Sequence, residues 1–276
     1  MIRQLNEGDR RVATRLLSEA PQLNLYMLSN LITPGFTADF CRFWGDVRNG
    51  DLVGVVNLYM TGWSVYGRPD ADWDGLARVI DDYRQAGERL QDNPGGVASI
   101  LPYLRCYRAT WVGEEQLMAL DKGDFQAQSV PPEADVRRAT WDDLSDLVNF
   151  YAGAEEMSRS QAAVERPLRD RRIWVARIGG EIAAAALTNA EVAGAAMIGG
   201  VYTRRSLRGR GLGQAVCSAL CAELLAEGCT PHLYWENPAA GAIYRKLGFH
   251  PVGVWRSVRI ARTDSRAAGA DVCVAR

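Results

Sequence analysis

Residues 201–213 read Val201-Tyr202-Thr203-Arg204-Arg205-Ser206-Leu207-Arg208-Gly209-Arg210-Gly211-Leu212-Gly213, and an apolar stretch of helical character, Gln214 to Ala226, follows at once. The β-prone run Gly200 to Thr203 thus passes into Arg208-x-x-Gly211-x-Gly213. Glycines at the start of a helix let the backbone approach a ligand closely, and the free N–H groups and positive dipole end there attract an anion. A pyrophosphate suits such a turn best. The spacing is not Gly-x-Gly-x-x-Gly, and no Gly-Lys-Ser/Thr brings a lysine and a metal-binding hydroxyl to a nucleoside triphosphate. Taken alone, the stretch also reads as a tight strand-to-helix turn with no ligand.

Its neighbours add to it. Thr230 to Glu236 has strand character and leads into Asn237-Pro-Ala-Ala-Gly-Ala-Ile-Tyr244-Arg-Lys-Leu-Gly248-Phe249. Asn237 is placed to cap a helix with Pro238 at its first position, and Gly248 to end it, which carries Tyr244 on a short helix right after a strand. Upstream, Asp135 to Ala139 reads as a first strand and Thr140-x-x-Asp143 as a capping box before Leu144, Leu147, Val148 and Tyr151 at helical spacing. Two apolar runs, Arg172 to Ile178 and Glu181 to Thr188, flank Gly179-Gly180 as in a hairpin, and Met197 to Thr203 supplies the next strand.

Arg/Gln-x-x-Gly-x-Gly/Ala after a strand resembles the coenzyme A loop of the GNAT N-acetyltransferase superfamily. Asn-x₆-Tyr-x₃-Gly-Phe resembles the superfamily's second signature, and the two stand in family order about 25 residues apart. The resemblance covers residues 134 to about 262. It implies an α+β fold around a mixed sheet and acetyl-CoA as cosubstrate, with no metal.

At 276 residues the chain has the length of two domains, each able to bury its own core. A net charge of −1 gives no overall pull toward nucleic acid or membrane surfaces. No charged leader opens the chain and no apolar run of about 18 residues interrupts it, so a cytoplasmic protein is expected. The six cysteines form no Cys-x-x-Cys pair and the two histidines are His232 and His250, a composition that favours buried thiols over a zinc site.

The first half echoes the second. Phe43-Trp44 to Val55, around Asn49-Gly50, parallels Ile173-Trp174 to Ala183, around Gly179-Gly180, at an offset near 130. Where the second half has its glycine loop, the first has Gly67-Arg-Pro-Asp-Ala-Asp-Trp-Asp, whose acids would repel a pyrophosphate. Two halves, one without the loop, resemble tandem GNAT proteins of the glycine N-acyltransferase-like branch. The expected division is a degenerate domain over 1–125, a Pro131-Pro132 linker over 126–133 and a catalytic domain over 134–276. The first half either packs against the second or helps form its acceptor pocket, with Gly62 to Tyr66 as a possible lining.

The resemblance implies a set of site residues. Val201, Tyr202 and Thr203 would pair through their strand edge with the pantetheine amides. Arg208, Gly209, Arg210, Gly211, Leu212 and Gly213 would grip the pyrophosphate. Asn237 would cap its helix or bind the pantetheine arm. Tyr244 would either give its proton to the departing thiolate or pack against the coenzyme. No carboxylate lies on the strand before the loop, so Glu236 is the nearest expected base, with Glu181 and His232 behind it, although Glu236 also reads as a solvated strand-end carboxylate. The expected acceptor is a small-molecule amine. A protein or peptide amine and a coenzyme A-binding module without turnover are the alternatives, and the sequence leaves the oligomeric state open.

Overall fold

The computed structural model describes residues 1–83, 89–92, 94–235 and 237–263. In chain order the elements are β1 (Ile2–Gln4), α1 (Arg10–Leu17), α2 (Leu25–Ile32), β2 (Cys41–Arg48), β3 (Asp51–Tyr59), β4 (Gly62–Gly67), α3 (Trp73–Asp82), β5 (Arg89–Asp92), α4 (Pro94–Ile100) and β6 (Tyr107–Ala119). There follow β7 (Asp135–Arg138), α5 (Leu144–Ala152), α6 (Gln161–Asp170), β8 (Ile173–Ile178), β9 (Glu181–Val192), β10 (Ala195–Thr203), α7 (Leu212–Ala226), β11 (Thr230–Trp235), α8 (Pro238–Leu247) and β12 (His250–Arg262). The series β-α-α-β-β-β-α-β-α-β is therefore written twice.

The chain folds into two compact units, Met1–Gln116 with Gly253–Arg276 and Leu117–Val252. The first has strand order β1-β2-β3-β4-β5-β12-β6, and the second β6-β11-β10-β9-β8-β7. Residues 117–133, which the sequence reading gives to a first domain and a linker, thus lie in the second unit. Gln126 N–H donates to Leu247 O at 3.0 Å and Gln128 N–H to Ser218 Oγ at 2.9 Å, so this stretch is bound down rather than free. Residues 253–263 belong with the first unit, where β12 pairs antiparallel with β5 from Arg256↔Asp92 to Arg259↔Arg89. No helix among the described residues is long and apolar enough to cross a membrane.

Local chemistry accounts for the elements. Both hairpins turn on residues with positive φ, Asn49 (51°) and Gly50 (79°) in the first unit, Gly179 (58°) and Gly180 (86°) in the second, as a tight hairpin twist requires. The strand β9 carries the run Ala183 to Ala186, buried on both faces. Ala184 and Ala186 sit in the core with Val216, Leu220 and Leu224 of α7, while Ala185 joins Leu147, Phe150 and Tyr151 of α5. Small side chains there let helices approach the sheet from either side.

The two units open with the same device. In the second, Thr140 N–H donates to Asp143 Oδ2 at 2.9 Å, closing the capping box anticipated from the sequence, and Arg137 clamps both oxygens of Asp143 at 2.7 and 2.8 Å. In the first, Asn6 N–H donates to Asp9 Oδ2 at 3.0 Å and Arg3 holds Asp9 at 2.6 and 2.7 Å. The Arg137 hydrogen bonds hold the Asp143 carboxyl below its ordinary range despite burial. A depressed carboxylate contributes stability that is complete above its unfolded-state value near ~3.9 and fades as pH falls through the lower folded value.

Asp143→Asn is therefore expected to lower stability at pH 7 by roughly 1–3 kcal/mol, the lower half being favoured because Arg137 is partly solvated. The gap between wild type and variant should narrow below about pH 4, read as urea midpoints at a series of pH values; a gap that widens in acid would contradict the assignment.

Candidate active site

The site begins where a ladder ends. Strand β10 pairs in parallel with β11 through Ala195↔Thr230, Ala196↔Pro231 and Met197↔His232. On its other side it follows β9 along its length, with irregularities between Met197 and Ile198 and between Gly199 and Tyr202. These bulges swing the strand away from β11, so the edge from Ile198 to Thr203 has no strand partner across the gap among the described residues. Gly200, at φ 58°, makes the bend, and the buried Tyr151 hydroxyl donates to its carbonyl at 2.7 Å.

The chain then turns. Arg204 N–H returns to Ala183 O at 2.9 Å, a short 3₁₀ turn spans Arg205–Leu207, and Gly209 and Gly211 both stand at φ 78°. Side-chain-bearing residues rarely adopt that conformation, which is why glycine occupies both positions. The helix α7 starts at Leu212 with no side-chain cap and no acid in its first turn. Backbone N–H groups of Gly209, Arg210, Gly211, Leu212 and Gly213 find no acceptor among the described residues. Gly213 is small for a packing reason, since a Cβ there would lie 2.9 Å from Thr203 Oγ1.

Leu212, 1% exposed, and Val201 anchor this turn to the α7 core, while Tyr202 packs on the opposite face against Phe150. The Arg208 guanidinium lies 5.6 Å above the Tyr202 ring, gives Nε to Thr203 O at 3.2 Å, and has no carboxylate partner among the described residues. Arg210 is instead paired with Glu133 at 2.7 Å. The turn thus presents uncapped N–H groups and one unpaired cation, which is the chemistry a diphosphate requires.

Asn237 caps α8 by accepting from Ala239 N–H at 2.9 Å, Pro238 follows, and Gly248 ends the helix at φ 101°. This helix sets the Tyr244 ring edge-on to Phe249 at 5.9 Å, 7% exposed, with a hydroxyl that bonds to no described residue. Burial raises that hydroxyl above its ordinary range, with Cys217 and Cys221 adding to the effect. His232 is buried; burial keeps its imidazolium below the usual range, and Nδ1 faces Thr230 O at 3.1 Å. Glu181 stands away from the gap, on the rim of a cavity of about 270 Å³ shared with Asp146, Asn149, Ile182 and Arg204. Glu236 lies outside the described residues.

Three residues near the bend were not singled out from the sequence as site residues. Tyr151 stands in the sequence only as one of the positions at helical spacing, and Arg159 and Asn189 carry no motif at all. The Asn189 side chain fills the place a Gly199 Cβ would take, and an Arg159 guanidinium nitrogen lies 2.9 Å from where a Gly200 Cβ would be. The paired glycines of β10 were the available signal: two adjacent glycines in a strand mark a bulge against which other groups approach the backbone.

The family model for Acetyltransferase (GNAT) matches residues 138–249. These residues are a GNAT-family domain. Among solved structures the chain resembles a Drosophila protein at TM-score 0.71 and 16% identity, covering 94% of this chain and 98% of that one. It resembles a GCN5-related N-acetyltransferase from Sphaerobacter thermophilus at 0.67 and 17% identity, over 95% of each chain. It also resembles a tandem GNAT protein from the clavulanic acid biosynthesis pathway at 0.66 and 15% identity, over 95% of this chain and 98% of that one. At these identities the likeness is one of fold. No curated protein matches by sequence.

Both β10 and the start of α7 lie inside the matched residues. Gly211→Glu sets both a side chain and a negative charge at a φ of 78° beside the uncapped N–H groups. Calorimetric titration with acetyl-CoA should show binding by the wild-type chain and none by the variant, with cooperative unfolding kept; unchanged affinity would remove the turn from the site.

Proposed function

We propose that the chain is an acetyl-CoA-dependent N-acetyltransferase that passes an acetyl group directly to the primary amine of a small molecule, with Tyr244 as general acid. One observation carries the reading: β10 parts from β11 after three pairs and runs into an uncapped glycine turn. A free strand edge and a cluster of orphan N–H groups therefore lie in sequence. The edge Val201 to Thr203 suits pantetheine amides and the turn suits a diphosphate, two features that coenzyme A joins in one molecule.

When bound, acetyl-CoA supplies an acetyl group activated as a thioester. The amine lone pair forms the new C–N bond, and the C–S bond breaks with its electron pair on sulfur. One proton leaves nitrogen for a base, and one passes from the Tyr244 hydroxyl to sulfur. A phenol raised by burial is a poor acid toward a solvated thiolate but a matched one toward a thiolate in the same apolar surroundings. Those surroundings are gauged by Cys217, whose buried thiol is pushed up to about 12. Glu236, next in sequence after Trp235, is kept as the base; His232, whose Nδ1 faces Thr230 O at 3.1 Å, is the described alternative.

The first unit, on this reading, is a GNAT-like copy that has lost its coenzyme. At the place of the glycine turn, Asp72 caps α3 by accepting from Gly75 N–H at 2.9 Å, and Asp46 accepts from Asp72 N–H at 3.0 Å. Carboxylates there already occupy the position an anion would take.

Tyr244→Phe keeps the ring and removes the hydroxyl. Acetyl-CoA affinity is expected to stay within a few-fold while the single-turnover rate on an accepted amine falls by roughly 10²-fold or more, the usual scale for losing one acid. An equal loss in both would make Tyr244 a binding residue, and coenzyme binding without turnover on any amine, peptide amines included, would make the chain a binding module.

A further inference from the structure

Glu133 puts an internal carboxylate on the glycine turn. Residues 120–134 join β6 to β7 as a strap that is bonded to both helices of the candidate site. Asp124 O packs so closely on Gly248 that a Cβ there would lie 2.0 Å from it, and Gln126 N–H donates to Leu247 O at 3.0 Å. Gln128 then ties the strap to α7 and α8 together. Its N–H donates to Ser218 Oγ at 2.9 Å, its side-chain amide donates to Lys246 O at 3.2 Å, and its Oε1 accepts from Gln214. From there the strap reaches the turn itself. Pro131 Cγ stands 3.8 Å from where a Gly211 Cβ would be, and two residues later Glu133 Oε1 accepts from Arg210 at 2.7 Å.

The position of this pair sets it apart from its neighbours. Arg205 pairs with Glu155 at 3.2 Å and Arg204 lies 4.0 Å from Glu181, both ahead of the glycines. Arg210 stands between Gly209 and Gly211, whose N–H groups find no acceptor among the described residues, so its counter-ion is held beside the place proposed for the diphosphate. Both side chains are exposed, Arg210 at 44% and Glu133 at 37%, which leaves the pair free to open. The backbone N–H of Glu133, and then Arg210, hold the Glu133 carboxyl below its ordinary range, so the strap carries its charge at neutral pH.

A guanidinium offers one planar fork, and a carboxylate and a phosphate compete for it. We propose that Glu133 is a built-in rival of the coenzyme's diphosphate for Arg210, and that the strap keeps the turn in a self-paired state which acetyl-CoA has to open. The proposal rests on the acetyltransferase reading for the identity of the incoming anion, though the competition itself does not. Exposure of the pair sets the size of the effect. Solvent-exposed ion pairs close with an equilibrium constant of roughly 1–5. Arg210 is then open for about half to one-sixth of the time, and the apparent affinity for a phosphate ligand is weakened about two- to sixfold. Gln128, bonded to both helices, returns Glu133 to the same place whenever the pair recloses.

The test is calorimetric titration with acetyl-CoA of the full-length wild type, Glu133→Gln, Arg210→Gln and the double variant. Glu133→Gln is expected to bind about two- to sixfold more tightly than the wild type, with a gain that shrinks as salt is added. Its thermal midpoint should stay within about 2 °C of the wild type, because the pair lies in solvent. Adding Arg210→Gln to Glu133→Gln should cancel the gain. Equal or weaker binding by Glu133→Gln would overturn the proposal, by making Glu133 a support that aims Arg210 at the coenzyme. A gain that survives the loss of Arg210 would overturn it too, since Arg210 would then not be what the two anions contest. Inorganic pyrophosphate, read by the rise it causes in the thermal midpoint, separates this proposal from the reading it rests on. A larger rise in Glu133→Gln than in the wild type, in a chain that binds no acetyl-CoA, would uphold the rivalry and remove the acetyltransferase reading. No response of any form to either ligand would overturn both.

Discussion

The parallel ladder between β10 and β11 stops at Met197 and His232, and that early stop governs the second unit. A buried strand seldom gives up its hydrogen-bond partners, because each unpaired backbone group costs about as much as the bond it fails to make. Here the separation is fixed rather than frayed. β9 stays bonded to β10 through the bulges, Gly200 takes a φ of 58°, and the Tyr151 hydroxyl satisfies the Gly200 carbonyl from the α5 side. The opening is therefore a property of the fold, and its walls are backbone groups that need a polar partner.

The two helices that follow the fourth strand of each series show how a few side chains decide whether such an opening is used. The dipole end of α7 is left bare, with glycines at φ 78° and arginines around it. The matching end of α3 is closed by Asp72, with Asp46 behind it, and burial does not keep the Asp46 carboxyl from being held below its ordinary range by Arg48 and its other partners. A carboxylate cap and a bound phosphate make the same hydrogen bonds to the same N–H groups. Fitting the cap in one unit stabilises a helix, and leaving it out in the other leaves N–H groups open to an anion.

Much of this was readable in the sequence because it was written in backbone-determining residues. Asn49-Gly50 and Gly179-Gly180 announced the hairpins, Thr140 and Asp143 the start of α5, Asn237, Pro238 and Gly248 the limits of α8. Those residues act locally, so their effect survives without knowledge of the rest of the chain. The gap between β10 and β11 depends instead on the register of two distant strands, and α6, with Pro167 inside it and few apolar positions, has little helical signal of its own. The fate of the chain ends was hidden for a similar reason. Nothing local in β12 says that Val258 and Ile260 join the core of Trp63, Leu76 and Ile80 rather than that of α7. Arg159 and Asn189 escaped because an arginine among thirty-two basic residues acquires meaning only from what surrounds it in the fold.

The contrast between Arg159 and Arg172 makes the point in energetic terms. Arg172, 12% exposed in its side chain, is surrounded by Glu191, Glu223 and Glu227 at 2.9 to 3.4 Å, and that shell holds its guanidinium charged despite burial. It joins β8, β9 and α7, and removing one member of such a network strands the others, which is the expensive way to lose a buried charge. Arg159 has the opposite arrangement: an aromatic face, an amide and no acid among the described residues. A fold that balances one arginine so fully has the acids with which to balance another. Arg159, beside the reach of β10 that has left β11, rests on the Tyr151 ring and the Asn189 amide with no such shell among the described residues.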